Sequence, residues 1–233
     1  MSEPLETRVS AVAALDEPTR RRLYDHVVRQ SQPVSRDEAA EALQLPRTTA
    51  AFHLDRLADA GLLDVVYERR TGRSGPGAGR PSKLYRRSTR QLTVSVPERR
   101  YDLAGRLLAA TLEEAGRSGE PPQEVLVRRA YEVGREFGSA ARPDGDQTGQ
   151  DAVLRLLEEY GFEPRVEDGE VLLGNCPFHA LAQDFTELVC GMNLHLLDGV
   201  LDGLSATGYR ARLAPGPDHC CVRLEPTGTE GRP

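Results

Sequence analysis

Apolar side chains recur along this chain with the three- and four-residue steps of helices, interrupted by short stretches that alternate. In DEPTRRRLYDHVV, Leu23, Val27 and Val28 share one face, Val12, Ala13 and Leu15 lead in, and Asp16 is placed to cap the first turn. Ser35-Arg36-Asp37-Glu38 has the form of a capping box, in which the serine hydroxyl and the glutamate carboxylate each satisfy a free backbone N–H. It predicts a short helix to about Leu43, stopped by Gln44-Leu45-Pro46. Arg47 to Gly61 then sets Ala51, Leu54, Leu57 and Ala58 on one face, with Pro46 favouring the start and Gly61 the end. Two short helices joined by a tight turn make a helix-turn-helix. Past Gly61, Leu62 to Tyr67 reads as a strand and Ser82 to Arg86 as its return, so the Gly- and Arg-rich segment between them is the tip of a hairpin, a wing.

Further on, Leu103, Leu107, Leu108 and Leu112 mark an amphipathic helix, either paired with its twin in a dimer or packed as a core helix. A helix from about Glu124 to Ala141 follows, and ARPDGDQTGQ reads as a flexible connection. Asp151 to Tyr160 forms a helix ended by Gly161, and a hairpin runs from Phe162 through Glu167-Asp168-Gly169 to Leu173. One long helix covers Leu181 to Leu204, with Cys190 in the stripe of Leu194, Leu197, Leu201 and Leu204. Tyr209 to Leu213 and Cys220 to Leu224 are expected to be strands. The fold class is therefore α+β. A winged helix-turn-helix occupies 1–92, a helical linker and dimerisation segment 93–145, an α+β effector domain with a small antiparallel sheet 146–227, and a tail 228–233.

The net charge of −6 argues against a nucleic-acid binder until it is divided along the chain. Residues 1–100 carry 18 Arg and Lys against 13 Asp and Glu, and the remainder carries 12 against 23. The basic half contains the helix-turn-helix. Within it, Arg69, Arg70, Arg73, Arg80, Lys83, Arg86, Arg87 and Arg90 stand in a segment without a single acid, the pattern of a cationic arm or of a solvated linker. No apolar run approaches the roughly 20 residues of a membrane span, and MSEPLETRVS lacks the basic and apolar regions of a signal peptide, so a cytoplasmic protein with no membrane partner is expected. No phosphate loop, nucleophile elbow or HExxH occurs, which argues against an enzyme.

Candidate DNA contacts follow from the two elements that would enter the grooves. Arg47, Thr48 and Thr49 open the second helix with short or cationic side chains suited to phosphates and base edges in the major groove. Ala50, Phe52, His53 and Arg56 complete its outer side, although Phe52 and His53 equally suit packing against the supporting helices, His53 more so. In the wing, Arg73, Arg80 and Lys83 are the candidates, and Gly79-Arg80-Pro81 resembles the short arginine wedge that lies in a narrow minor groove.

All four cysteines lie beyond residue 175, too few for a disulfide framework, and in the cytoplasm they should remain thiols. Thirteen residues separate Cys176 from Cys190 and twenty-nine separate Cys190 from Cys220, spacings that by themselves define no metal site. Placement says more: a turn at a strand end, the first half of a helix, and the exit of a Pro/Gly loop. Side chains alternate along a strand, so Cys220 and Cys221 cannot both face one site unless the strand starts after them. Small buried residues, a zinc site completed by His179 or His219, and a thiol redox switch all fit these residues. His195, off the Cys190 stripe, reads as a partly exposed surface residue.

LDEPTRRRLYDHV, the capped second helix, RTTAAFHLDRLADAGLL and the GRPSKLYRR wing together resemble the ArsR-like winged-helix regulators. That resemblance implies a homodimer on operator DNA. GFEPRVEDGEVLLGNCPFHALA, LVCGMNLHLLDGVLDGL and HCCVRL look like the C-terminal half of the SufR-like regulators. This second resemblance implies an iron-sulfur cluster on Cys176, Cys190 and one of Cys220 or Cys221, its loss or oxidation changing the affinity for DNA.

Overall fold

A computed structural model describes residues 4–69, 81–142, 149–206, 208–216 and 219–227. The chain divides into two compact units, Met1–Val94 and Ser95–Pro233. Among the described residues no helix is long and apolar enough to cross a membrane.

The first unit runs α1 (Leu5–Ala13), α2 (Pro18–Val28), β1 (Val34–Ser35), α3 (Arg36–Leu43), α4 (Arg47–Asp59), β2 (Leu63–Glu68) and β3 (Ser82–Arg87). Its strands form one antiparallel sheet in the order β1-β3-β2. α2 is capped by Glu17 rather than by Asp16: Pro18, with no N–H and a helical φ already set, takes the first helical position, and the Glu17 carboxylate accepts from the Thr19 and Arg20 amides. The capping box on α3 is formed, Ser35 Oγ accepting from the Glu38 amide at 3.2 Å and Glu38 Oε2 from the Ser35 amide at 2.8 Å. Gln44 ends α3 in the left-handed region, φ 54°. On α4 the buried face is Ala50, Leu54 and Leu57. Ala50, expected on the outer side, is fully buried, because the i, i+4, i+7 stripe that meets Leu23, Val27 and Tyr85 begins one residue earlier than expected. The wing tip, with Arg73 and Arg80, lies outside the described residues.

The second unit runs α5 (Tyr101–Ser118), α6 (Pro122–Ala140), α7 (Gly149–Glu159), β4 (Pro164–Glu167), β5 (Glu170–Leu173), α8 (His179–Asp184), α9 (Thr186–Leu204), β6 (Tyr209–Leu213) and β7 (Val222–Pro226). The helical segment and the effector segment, set apart in the sequence reading, share one core. On α5, Ala104, Leu107, Thr111 and Ala115 are buried while Leu112 is exposed, the arrangement of a core helix. The antiparallel sheet has the order β4-β5-β7-β6, and the β4–β5 hairpin turns on Asp168 and Gly169, both at positive φ.

α6 and α9 form the spine of this unit and touch backbone to backbone. Gly134 and Gly138 on α6 face Gly199 and Gly203 on α9; a Cβ at Gly134 would lie 2.0 Å from the Leu196 carbonyl oxygen, and one at Gly199 2.0 Å from that of Tyr131. The single long helix expected over 181–204 is two, broken at Phe185, whose backbone leaves the helical region. α8 fully buries no side chain and packs only the half-buried Leu181 and Ala182 against the core, and the Thr186 hydroxyl satisfies the Ala182 carbonyl at the break.

Candidate functional site

In the first unit, the start of α4 carries no side-chain cap, since Pro46 stands at the N-cap. The first amides of a helix have no intrahelical partner, so this end is suited to a phosphate. Arg47 and Thr48 are exposed there and Thr49 is half-buried. Arg47 forms an ion pair with Asp37 of α3. Phe52 stands 55% exposed on the same helix with the Arg56 guanidinium 5.6 Å from its ring centre, an apolar and cationic pair on the outer side.

His53 is drawn inward. Its side chain is 15% exposed and its Nδ1 lies 3.4 Å from Glu17 Oε2, so it joins α4 to the cap of α2. Burial works to raise the Glu17 carboxyl, but the Thr19 and Arg20 amides and the neighbouring His53 hold it below the usual range. Lys83 leaves the wing to bond Asp55 of α4 at 2.6 Å, and the Tyr85 hydroxyl donates to the same Asp55 oxygen at 2.5 Å. For Asp55, burial is outweighed by these two hydrogen bonds and the Lys83 charge, which keep the carboxyl below its usual range. Burial first, then the bond to Asp55 and its charge, push the Tyr85 hydroxyl well above the ordinary phenol. Asp55, which the sequence analysis did not single out, thus fastens β3 to α4.

In the second unit the four cysteines come together from three separate segments. Cys176 lies in the stretch between β5 and α8, Cys190 sits in the first turns of α9, and Cys220 and Cys221 precede β7. β7 begins at Val222, after both, which is the one arrangement that lets neighbouring cysteines escape strand alternation. Cys190 and Cys221 are joined as a disulfide with Cα atoms 6.3 Å apart, contrary to the expectation of four thiols. Their Cα separation falls within the range a bridge requires, so the fold itself supplies the approach. Cys176 and Cys220 are buried free thiols hydrogen-bonded to each other. The bond with Cys220 acts against burial, with help from the Phe178 amide and the Arg99 charge, to bring Cys176 down to about 7; the same neighbour and burial push Cys220 up.

A polar frame holds this nest. The Cys220 amide donates to the Leu173 carbonyl at 2.8 Å, tying the approach to β7 onto the end of β5. Asn175, buried, donates to the Glu98 carbonyl at 3.0 Å and the Gly161 carbonyl at 2.5 Å and accepts from Arg99, whose guanidinium also reaches the Cys176 carbonyl at 3.4 Å. Asn193, 1% exposed, donates from Nδ2 to Cys220 Sγ at 3.3 Å. His179 and His219 are exposed, and the His219 ring is engaged with the Cys220 carbonyl at 2.9 Å; His195 is half-buried on α9.

Four sulfurs gathered in this way are the donor set of a thiophilic metal or an iron-sulfur cluster. Among the described residues no three His, Cys, Asp or Glu side chains already surround one point suited to a metal ion. The sulfurs stand in two pairs instead. A disulfide and metal ligation are alternative uses of the same two sulfurs, so reduction of Cys190–Cys221 would free both as donors beside Cys176 and Cys220. Thiolates have the chemistry a cluster uses, but as placed here two of the four sulfurs are bonded to each other and the four do not surround one point.

Residues 15–66 match the family model of a helix-turn-helix domain, spanning α2 to the fourth residue of β2. No curated protein and no solved structure matches the chain. With two helices joined by a tight turn and a β-hairpin following, that match makes the N-terminal unit a winged helix-turn-helix of the kind carried by DNA-binding transcription regulators.

Proposed function

We propose that the chain is a homodimeric transcription repressor whose grip on its operator is set by an iron-sulfur cluster ligated in the C-terminal unit. The helix-turn-helix match and the exposed, uncapped start of α4 support the DNA-binding half: Arg47, Thr48 and Thr49 enter a major groove, with Arg56 and Phe52 alongside and Arg80 of the wing in the minor groove. A two-fold dimer matches a palindromic operator, its symmetry setting the half-site spacing. One observation carries the sensory half, the convergence of four cysteines from three distant segments. Cys176, Cys190, Cys220 and Cys221 are the ligands. Bound there, the cluster supplies a centre that oxidants remove or alter. Arg99 contributes positive charge beside the Cys176 sulfur, which favours its thiolate.

The test is iron and acid-labile sulfide analysis, with a visible spectrum, on full-length protein purified without oxygen. Iron with sulfide and a charge-transfer band, both lost in Cys190→Ser while the metal-free form still binds DNA, is the expected result. Retention of metal in Cys190→Ser overturns the ligand assignment, and zinc alone points to a structural Cys/His site.

A second reading is favoured by the Cys190–Cys221 disulfide itself. On it the nest is a thiol switch, and metal-free protein changes its DNA affinity on reduction, a change that Cys221→Ser abolishes.

A further inference from the structure

We propose that Asp37 determines how sharply the helix-turn-helix separates its operator from other DNA, by holding Arg47 for a base edge and repelling the phosphates that Arg47 would otherwise take. The inference rests on the reading that the start of α4 meets DNA. Asp37 is the second residue of α3 and Arg47 the first of α4, so their ion pair spans the turn between the two helices. Arg36, which opens α3, stands 3.9 Å from the same carboxylate. One acid therefore sits between two cations at adjacent helix starts.

The fold gives Asp37 little other employment. The start of α3 is already served by the capping box of Ser35 and Glu38, which satisfies its amides without Asp37. The Asp37 and Arg47 side chains are 56% and 61% exposed, and ion pairs open to water add little to stability. Their geometry suits recognition better. Asp37 engages Arg47 through Nε, so the terminal Nη1 and Nη2 of the guanidinium remain for another acceptor. A base edge carries no net charge, and its paired acceptors take an arginine fork while Asp37 stays in place. A phosphate is an anion: it must displace Asp37 from Arg47 or tolerate the carboxylate beside it. The exposed, uncapped start of α4 attracts phosphates of any sequence, and Asp37 opposes that attraction at the side chain best placed to add to it.

The test measures binding of the full chain, by fluorescence anisotropy at several salt concentrations, to a duplex selected by the parent from a random pool and to a duplex of scrambled sequence. The variants are Asp37→Asn and Asp37→Ser, each alone and with Arg47→Ala. Asp59→Asn makes the same change of charge at the far end of α4, about 18 Å along the helix, and is the control for overall charge. Circular dichroism identifies any variant that does not fold, and the other Asp37 variant then carries the comparison. Freeing Arg47 from an exposed pair should tighten binding to the scrambled duplex about 2–5-fold and steepen its salt slope by about 1. The selected duplex gains less, so the ratio of the two affinities falls, and with Arg47→Ala in place the effect of Asp37 disappears. A folded Asp37 variant that binds the scrambled duplex no more tightly than Asp59→Asn, or whose gain survives Arg47→Ala, overturns the role of Asp37 and leaves the DNA reading standing. Parent binding that neither weakens with salt nor changes in Arg47→Ala overturns the placement of α4 on DNA, and this inference with it.

Discussion

Replacing Gly199 by alanine sets a helix-propensity gain against a steric clash, and the structure says which wins. Alanine is favoured over glycine inside a helix by about 0.5–1 kcal/mol. At Gly199, however, the new Cβ would stand 2.0 Å from the Tyr131 carbonyl oxygen and 2.9 Å from the Arg135 amide nitrogen, both backbone atoms of α6. A carbon and a carbonyl oxygen approach no nearer than about 3.3 Å, so the helices must part by about an ångström. The seam cannot absorb this locally, because a Cβ at Gly134, Gly138 or Gly203 would likewise stand only 2.0 to 2.3 Å from backbone oxygens along it. Radial gaps of that size forfeit about a quarter to a half of each contact's dispersion energy, and overpacking in cores costs about 1–3 kcal/mol. The expected net effect is a loss of about 1–2 kcal/mol. Gly105→Ala on α5, where nothing lies within 4 Å of the new carbon, is the control and should gain up to about 1 kcal/mol. Urea unfolding of the intact chain, followed by far-ultraviolet circular dichroism, reads both as shifts of the midpoint. A Gly199→Ala protein as stable as the parent, or more so, refutes the claim that backbone contact at this seam organises the second unit.

Arg47→Ala should weaken binding to an operator selected from random duplexes and lower the salt slope of binding by about 1, which fluorescence anisotropy at several salt concentrations measures. Ser35→Ala removes half of the capping box on α3 and should cost about 1 kcal/mol in the stability of the first unit, read by thermal or urea unfolding. Asp55 makes that unit acid-sensitive: its folded carboxyl is held below the ordinary 3.8, so its contribution is present above that value and is lost as pH falls below it. An Asp55→Asn variant should show a flatter loss of stability below about pH 4, and should bring the Tyr85 hydroxyl down toward an ordinary phenol in an ultraviolet pH titration.

Features written in neighbouring residues were legible in the sequence, and those assembled from distant ones were not. The capping box needs only Ser35 and Glu38, and the β4–β5 turn only Asp168 and Gly169, so both were readable from the chain. β1 is two residues long and exists because Val34 and Ser35 pair with Tyr85 and Leu84, a partner fifty residues away. α1 buries only Ala11 and leaves Leu5, Val9 and Val12 exposed, so its apolar positions did not mark it as an element of the unit's core. The break at Phe185 was hidden because apolar spacing continues across it, from the half-buried Leu181 and Ala182 of α8 into α9. Along the chain the cysteines are strangers; the sheet order β4-β5-β7-β6 and the path of α9 bring them together. Asp55 and Asn193 were missed for a shared reason, as single polar residues on helices read by their apolar stripes. For Asn193 the signal was there to use, a polar side chain one turn beyond a cysteine on a face that is otherwise apolar.

The central claim is that the state of the cysteine nest sets affinity for DNA, and the most direct measurement compares operator affinity of one anaerobic preparation before and after its cluster is removed by chelation, both kept reduced. Effector couplings change affinity by about 5–150-fold, and the account predicts a difference in that range that disappears in Cys190→Ser. Equal affinities for the loaded and cluster-free protein would contradict it.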